Sequence, residues 1–191
     1  MMSHLGRPGG KRSAGLSLRP VAAALAARLA RPVHFQHCAA TPPPLAWPRS
    51  AGDEPALVLL ENLRFHEGEE ADDADFARAL AAHGDLFVND AFSVSHRCHA
   101  SVSGIHAHFD ASRTAAGFLI ENELRALNAL RVDPPRPFVA VLGGLKVSDK
   151  IGTIQALMKT ADKVLIGGAM AYCFLRAAGH SVGDSPCFAD E

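Results

Sequence analysis

The sequence has little that marks a secreted or membrane protein. Its 191 residues include four cysteines, none in a C-x-x-C pair: Cys38, Cys98, Cys173 and Cys187. With no secretory leader, this cysteine usage predicts reduced thiols in a cytoplasmic protein rather than a disulfide framework. The longest apolar stretch, "PVAAALAARLARPV", is interrupted by Arg28 and Arg31. It falls short of the roughly 20 apolar residues that span a bilayer, so we expect no transmembrane segment.

A large net charge is also lacking, since 19 basic and 20 acidic residues leave a formal charge of -1. The overall charge therefore predicts neither a nucleic acid nor a membrane surface as partner. Any anion site must come from local clusters of Arg, Lys and His. A hydrophobic fraction of 48% with 20% charged residues is that of a globular protein with one good core or two small ones.

Helical and strand patterns alternate along the chain. This alternation predicts an α/β fold with a parallel sheet, in a Rossmann-like three-layer architecture of two partial domains. Pro20 falls in the first turn of the first helix, where proline is tolerated. Gly84 ends a helix that begins at an Asp cap, and Ser148 is predicted to cap a later helix. The predicted strands lie in "PVHF", "ALVLLEN", "DLFVND", "PFVAVLGG" and "KVLIGG".

Two proline-rich stretches punctuate this pattern. Residues 42–55 hold five prolines and are predicted to form an irregular surface loop. The stretch "DPPRP" follows a long predicted amphipathic helix, whose shared face comprises Ile120, Leu124, Leu127 and Leu130. This break predicts a crossing between domains, with a first domain over 1–116, an interdomain helix and linker over 117–135, and a second domain starting over 136–191.

Cations occur at positions that end predicted strands, where open α/β sheets bind ligands. The first stretch, "SHLGRPGGKR", surrounds glycines with cationic side chains: His4, Arg7, Lys11 and Arg12. Glycines let the backbone approach an anion closely, although a solvated, mobile terminus is the alternative. The second stretch, "LLENLRFHEGEE", delivers Arg64 just past a strand, with Glu61 near enough to pair with it. A surface ion pair is the alternative to a ligand clamp there.

The third stretch, "NDAFSVSHRCHASVSGIHAH", is rich in histidine. Arg97 can act as a bidentate fork for phosphate or carboxylate, and His96 or His99 can donate when protonated. A solvated polar loop and a metal site are the alternatives. The spacing of the His and Cys residues is not a recognised zinc arrangement.

The fourth stretch, "VLGGLKVSDKIG", has the composition of a phosphate site. A strand ends in Gly143 and Gly144, a helix begins soon after, and Lys146 and Lys150 add positive charge. It is not the P-loop pattern, because no G-K-[ST] follows at the required spacing. A helix cap with exposed lysines is the alternative.

Together, "SHLGRP", "LLENLRF", "VNDAF" followed by "HRCHAS", "GGLKVSDKIG" and "IGGAMAYCFL" occur in this sequence in the order and approximate spacing of the phosphoglycerate kinase family. The chain resembles that family over nearly its whole length, except at residues 42–55. The resemblance implies a two-domain kinase of glycolysis that passes a phosphoryl group between 1,3-bisphosphoglycerate and ADP, giving 3-phosphoglycerate and ATP. It implies that the first domain binds 3-phosphoglycerate and the second binds ATP or ADP with Mg²⁺.

The resemblance also implies roles for single residues. The implied substrate-binding residues are His4, Leu5, Gly6, Arg7, Arg64 and Arg97. The implied nucleotide-binding residues are Gly143, Gly144, Lys146 and Lys150, and Lys146 also resembles the lysine that steadies the transferring phosphoryl group. Positioning and charge neutralisation are what phosphoryl transfer requires of a protein.

Relative to the family, the chain is expected to be partial. We expect it to lack the family's first strand and most of its nucleotide domain, including the acidic magnesium site, so no metal ligands are assigned. Such a chain is expected to have weak or no kinase activity alone and to need a complementing chain. A non-catalytic binder of small phosphorylated acids and a gene fragment without function are the alternatives.

Overall fold

A computed structural model of the chain describes residues 1–37, 39, 56–148 and 150–187. The chain divides into two compact units, Met1–Asn122 and Glu123–Glu191, here called unit 1 and unit 2. The helices of the described residues are α1 (Arg19–Leu29), α2 (Glu67–Glu70), α3 (Ala74–Ala81), α4 (Phe118–Val132), α5 (Ile151–Leu157) and α6 (Met170–Ala177). The strands are β1 (Val33–Gln36), β2 (Leu57–Leu60), β3 (Phe87–Asn89), β4 (Thr114–Ala116), β5 (Val139–Gly143) and β6 (Lys163–Gly167).

The strands of the described residues form three parallel pairs, β1 with β2, β3 with β4, and β5 with β6. The predicted α/β class with parallel strands is therefore confirmed. All five predicted strands are present, whereas β4 was not predicted. Its sequence, Thr-Ala-Ala, carries neither the alternation nor the branched residues that identify a strand.

The main core of unit 1 lies between α3, β2 and the turns that follow β3. Its buried members include Leu60, Phe76, Leu80, Phe87 and Ile105. The predicted Asp cap of α3 is Asp73, whose Oδ1 accepts the Phe76 N–H at 2.8 Å. This cap and the buried face of α3 fix the start of the helix against the core.

Helix α1 buries less of itself than its apolar sequence indicates. Pro20 lies in its first turn as predicted. Ala22 packs with Leu18 and Leu59, while Val21 is exposed. Helix α4 has the predicted length, but of the four residues on its predicted apolar face only Ile120 is buried.

Unit 2 is built on β5 and β6, with a core of Val147, Ile154, Met170 and Cys173. The predicted cap of α5 was wrong. The N-cap position belongs to Lys150 rather than Ser148, and no side chain caps the helix there. The Lys150 N–H donates to Val147 O at 2.8 Å. The N-cap of α5 therefore lies two residues later than the sequence pattern indicated.

The predicted loop at 42–55 lies outside the described residues. In the described part of the chain, no helix combines the length and the apolar character needed to cross a membrane.

Candidate functional site

The residues before His4 are held against strand β2. The Met1 amino group donates to Val58 O at 2.6 Å, and the Leu60 N–H donates to Met1 O at 3.0 Å. A third bond joins the Leu63 N–H to Ser3 O at 3.2 Å. Burial lowers the pKa of the Met1 amino group below its ordinary value. The start of the chain is therefore fixed beside β2, so the loop that follows it does not behave as a solvated terminus.

The loop over residues 4–7 follows the residues held beside β2, and the chain turns at Gly6. Gly6 has a φ of +66°, and a Cβ added there would lie 2.8 Å from Leu16 Cδ2. The left-handed conformation disfavours larger residues at this position, and the Leu16 side chain would have to shift to admit a Cβ. The side chains of Leu5 and Arg7 are exposed, and that of His4 is half-buried.

Arg64 lies in a short 3₁₀ turn directly after β2. It is only 6% exposed, which is rare for an arginine and requires compensating partners. Its Nη1 donates to Gly6 O at 2.8 Å, and its Nε lies 3.4 Å from Glu70 Oε1. The predicted pairing of Arg64 with Glu61 was wrong, since the Glu61 carboxylate accepts from other donors and Glu70 is the acidic partner.

Asn62 connects the elements around Arg64. Its fully buried amide donates to Leu5 O at 2.8 Å and to Leu16 O at 2.9 Å. Its Oδ1 accepts the Arg64 N–H at 3.1 Å. The sequence analysis did not single out Asn62, because nothing in "LLENLRF" indicates which polar residue is buried.

A second loop carries Arg97 and His99 and is attached to α2 through Glu69. The Glu69 carboxylate, 3% exposed, accepts from Ser101 Oγ at 2.6 Å and from the Ser101 N–H at 3.1 Å. The same carboxylate lies 3.8 Å from His99 Nδ1. Sequence reasoning missed Glu69, and also α2 itself, since four residues are too few to show helical periodicity.

These attachments bring His4, Arg64, Arg97 and His99 together, and we call these four residues the cationic cluster. Burial lowers the pKa of His4, and the charges of Arg64, His99 and Arg97 lower it further, while Glu70 acts in the opposite direction. His4 is thus within electrostatic reach of the other three. Arg64 is buried and Arg97 is exposed, and a bound anion would gain charge-assisted hydrogen bonds from their guanidinium groups in competition with Glu70.

A cavity of about 830 Å³ opens beside His4, between residues 1–4 and β3. Its floor includes Leu60, Leu80 and Ile105, and neither arginine of the cationic cluster lines it. Its apolar character does not suit a small anion, so the cationic cluster rather than the cavity is the candidate anion site.

In unit 2, glycines occupy the carboxyl ends of both strands. Gly143 pairs with Gly167 at the end of the β5–β6 ladder. The Lys150 side chain lies against Gly144, where an added Cβ would approach Lys150 Cε to 3.0 Å. Lys146 lies in the same turn with an exposed side chain. The predicted glycines and lysines thus lie close together after the end of β5, with the Lys150 side chain packed against Gly144.

No group of three or more His, Cys, Asp or Glu residues that could hold a metal ion is present in the residues that the structure describes. The described residues therefore hold no preformed cluster of ligands for a magnesium ion.

Comparisons with known proteins identify the family of the chain. The family model described as phosphoglycerate kinase matches residues 1–191. Phosphoglycerate kinases of Chlorobium chlorochromatii and Desulforudis audaxviator are each 50% identical to the chain, over 97% and 100% of its length and over 46% and 47% of their own.

Two solved structures of phosphoglycerate kinases also match the chain. The structure of phosphoglycerate kinase from Coxiella burnetii matches 99% of the chain with a TM-score of 0.78 at 37% identity, using 46% of that protein. The enzyme from Pyrococcus horikoshii matches 87% of the chain with a TM-score of 0.70 at 27% identity. The chain spans about half the length of the curated relatives it matches, and it belongs to the phosphoglycerate kinase family.

Proposed function

We propose that unit 1 binds 3-phosphoglycerate, with the residues assigned from the family resemblance as its contacts: His4, Leu5, Gly6, Arg7, Arg64 and Arg97. The observation that carries this proposal is the buried guanidinium of Arg64 beside His4, with Arg97 in electrostatic reach. A phosphate or carboxylate that reaches this cluster replaces water by charge-assisted hydrogen bonds. Bidentate binding by arginine also fixes the orientation of the ligand.

We further propose that the chain contributes to the reversible reaction of phosphoglycerate kinase. In that reaction the acyl phosphate P–O bond of 1,3-bisphosphoglycerate breaks, and a new P–O bond forms to the terminal phosphate oxygen of ADP. The products are 3-phosphoglycerate and ATP. The protein holds the two substrates in line and neutralises charge, without forming a covalent intermediate.

For the nucleotide, we propose the turn after β5 as part of the site. Gly143 and Gly144 would admit phosphate oxygens, Lys150 would pair with them, and Lys146 would steady the transferring phosphoryl group. The juxtaposition of Lys150 with Gly144 supports this assignment. ATP or ADP would enter with Mg²⁺, as in the family, but the magnesium ligands must come from outside the described residues.

Because the chain spans about half of its relatives' length, we propose that it is weakly active or inactive alone and acts with a complementing chain. We keep residues 1–116 as the acid-binding domain, 117–135 as the interdomain helix and linker, and 136–191 as the start of the nucleotide domain. The three parallel pairs would be parts of Rossmann-like, three-layer domains in a cytoplasmic protein.

The experiment that tests acid binding is thermal unfolding with and without millimolar 3-phosphoglycerate. At a ligand concentration 100 times its dissociation constant, stabilisation is about 2.7 kcal/mol, which corresponds to about 5–10 °C for a chain of this size. Replacing Arg64 and Arg97 together by Ala should abolish the shift. The matched control is Arg78→Ala, an exposed arginine on α3 that pairs with Asp75, and it should leave the shift intact. An unchanged shift in the double variant contradicts the proposal.

A non-catalytic binder of small phosphorylated acids is the second candidate, favoured by the partial coverage of the relatives. A coupled assay for ATP formation separates the two functions. A ligand-dependent shift without turnover, alone and with a chain supplying the remaining length, supports the binder. A chain with no cooperative transition at all would be a gene fragment without function.

A further inference from the structure

We propose that Asn62 is the positioning residue of the cationic cluster, because its buried carboxamide fixes both the loop that carries His4 and the backbone that carries Arg64. The identity of the ligand rests on the proposed function, whereas the geometric role of Asn62 does not.

The carboxamide of Asn62 joins three separate segments of unit 1. Its two N–H groups are both used, on Leu5 O and on Leu16 O at 2.8 and 2.9 Å. Its oxygen accepts the Arg64 N–H at 3.1 Å. A side chain with two donors and an acceptor on one short stem is required for this connection, and asparagine is the residue that supplies it.

The same loop is held at the next carbonyl by Arg64 itself. Leu5 O accepts from Asn62, and Gly6 O accepts from Arg64 Nη1 at 2.8 Å. Residues 4–7 lie outside the helices and strands of the described chain, so side chains supply these two bonds in place of a backbone ladder. Loss of Asn62 therefore releases the loop at Leu5 directly and loosens the backbone of Arg64, which holds the loop at Gly6.

The pKa of His4 reports whether the loop has moved. A purely structural role of Asn62 would not change this pKa. Burial, Arg64, His99 and Arg97 lower the pKa of His4, and Glu70 raises it. If the loop moves away from Arg64, burial and the charge of Arg64 lower the pKa of His4 less, and it rises toward its ordinary value of 6.5. A loss of global stability without loop movement leaves this pKa unchanged, as long as the chain is folded.

The test compares the full chain with Asn62→Ala. We expect the affinity for 3-phosphoglycerate, measured by calorimetry below the unfolding temperature, to fall about tenfold or more. We also expect the His4 imidazole, followed by NMR and identified by its loss in His4→Gln, to titrate at higher pH. The control is Ile105→Val, which removes a methyl group from the buried core. It should lower stability while leaving both the affinity and the His4 titration unchanged.

Unchanged affinity and unchanged His4 titration in Asn62→Ala overturn the proposal. If the wild-type chain does not bind 3-phosphoglycerate, the proposed function fails, and the His4 titration still decides the role of Asn62. If Asn62→Ala does not fold, hydrogen exchange of the Asn62 side-chain amide in the wild-type chain tests the role of this residue. Slow exchange at Asn62 supports the proposal, and exchange as fast as that of the exposed side chain of Asn128 overturns it.

Discussion

Replacement of Glu61 should destabilise unit 1 by removing a carboxylate that two buried N–H groups require. Glu61 is 5% exposed, and its Oε1 accepts from the Leu18 N–H at 2.8 Å and from the Asn62 N–H at 2.9 Å. Its Oε2 accepts from Ser17 Oγ at 2.8 Å. Leu18 is the N-cap of α1 and has no capping side chain of its own. A residue 43 positions away therefore satisfies the start of this helix.

The expected loss of stability follows from the two N–H groups that donate to Glu61. Leaving a buried donor without a partner costs about 1–3 kcal/mol, so Glu61→Ala should cost about 2–6 kcal/mol. Glu61→Gln keeps an oxygen for both N–H groups but loses the charge and the oxygen that accepts from Ser17 Oγ, so its cost should be about 1–2 kcal/mol. The control is Glu123→Ala, an exposed carboxylate on α4, with an effect within about 0.5 kcal/mol.

The dependence on pH has a definite sign. Burial acts to raise the pKa of Glu61, but the bonds from Leu18, Asn62 and Ser17, with Arg12 nearby, outweigh it and hold the pKa below 4.5. A lowered pKa in the folded state adds stability above the unfolded-state pKa, and this stability is lost as the pH falls through the folded-state pKa. The advantage of the wild type over Glu61→Gln should therefore disappear in acid below pH 4.5.

Urea unfolding followed by circular dichroism, at neutral pH and in acid, measures these differences. Equal destabilisation by Glu61→Ala and Glu61→Gln at neutral pH would refute the reasoning, since it would mean that the two N–H groups do not depend on this oxygen.

Two further predictions concern a glycine turn in unit 1 and a carboxylate in unit 2. Gly10→Ala should cost more stability than Gly9→Ala in thermal unfolding. Both positions have positive φ, but only at Gly10 would a Cβ meet Glu67 Cγ at 2.2 Å. The combined strain is about 1–3 kcal/mol. Equal losses of stability in the two variants would show that the contact with Glu67 has no effect. In unit 2, the Phe138 N–H and Arg136 lower the pKa of Asp162 below 3.8. Its carboxyl should therefore titrate below that value by NMR, and an ordinary titration would exclude these bonds.

The elements that the sequence predicted correctly are those with strong local signals. Asp73 caps α3 and Pro20 lies in the first turn of α1, because capping and proline geometry depend on a few adjacent residues. Strand β2 carries a short apolar run, and its last two residues are buried. Ser148 shows the limit of the same reasoning. A serine near a helix start resembles a cap, but whether the chain is already helical there depends on the turn that precedes it.

The arrangement around the cationic cluster could be predicted only in part. Arg64 and Arg97 were singled out by their place after strands, and both reach His4 electrostatically. Their supporting partners were not predicted, because the spacing of Glu69 in the sequence does not reveal that Ser101, 32 residues later, completes its hydrogen bonds. Long-range pairing of this kind depends on the fold and leaves no periodic trace in the sequence.

One segment of ten residues, Glu61–Glu70, holds every part of the cationic cluster in place. Its Asn62 and Arg64 fix the loop over 4–7, and its Glu69 fixes the loop that carries Arg97. The acidic residues of this segment are thus needed to build a basic surface, since each buried carboxylate orders backbone donors that would otherwise face water. Glu70 is different, because it pairs with Arg64 itself. When no ligand is bound, the Glu70 carboxylate compensates the charge of Arg64. An incoming anion must compete with that carboxylate for Arg64.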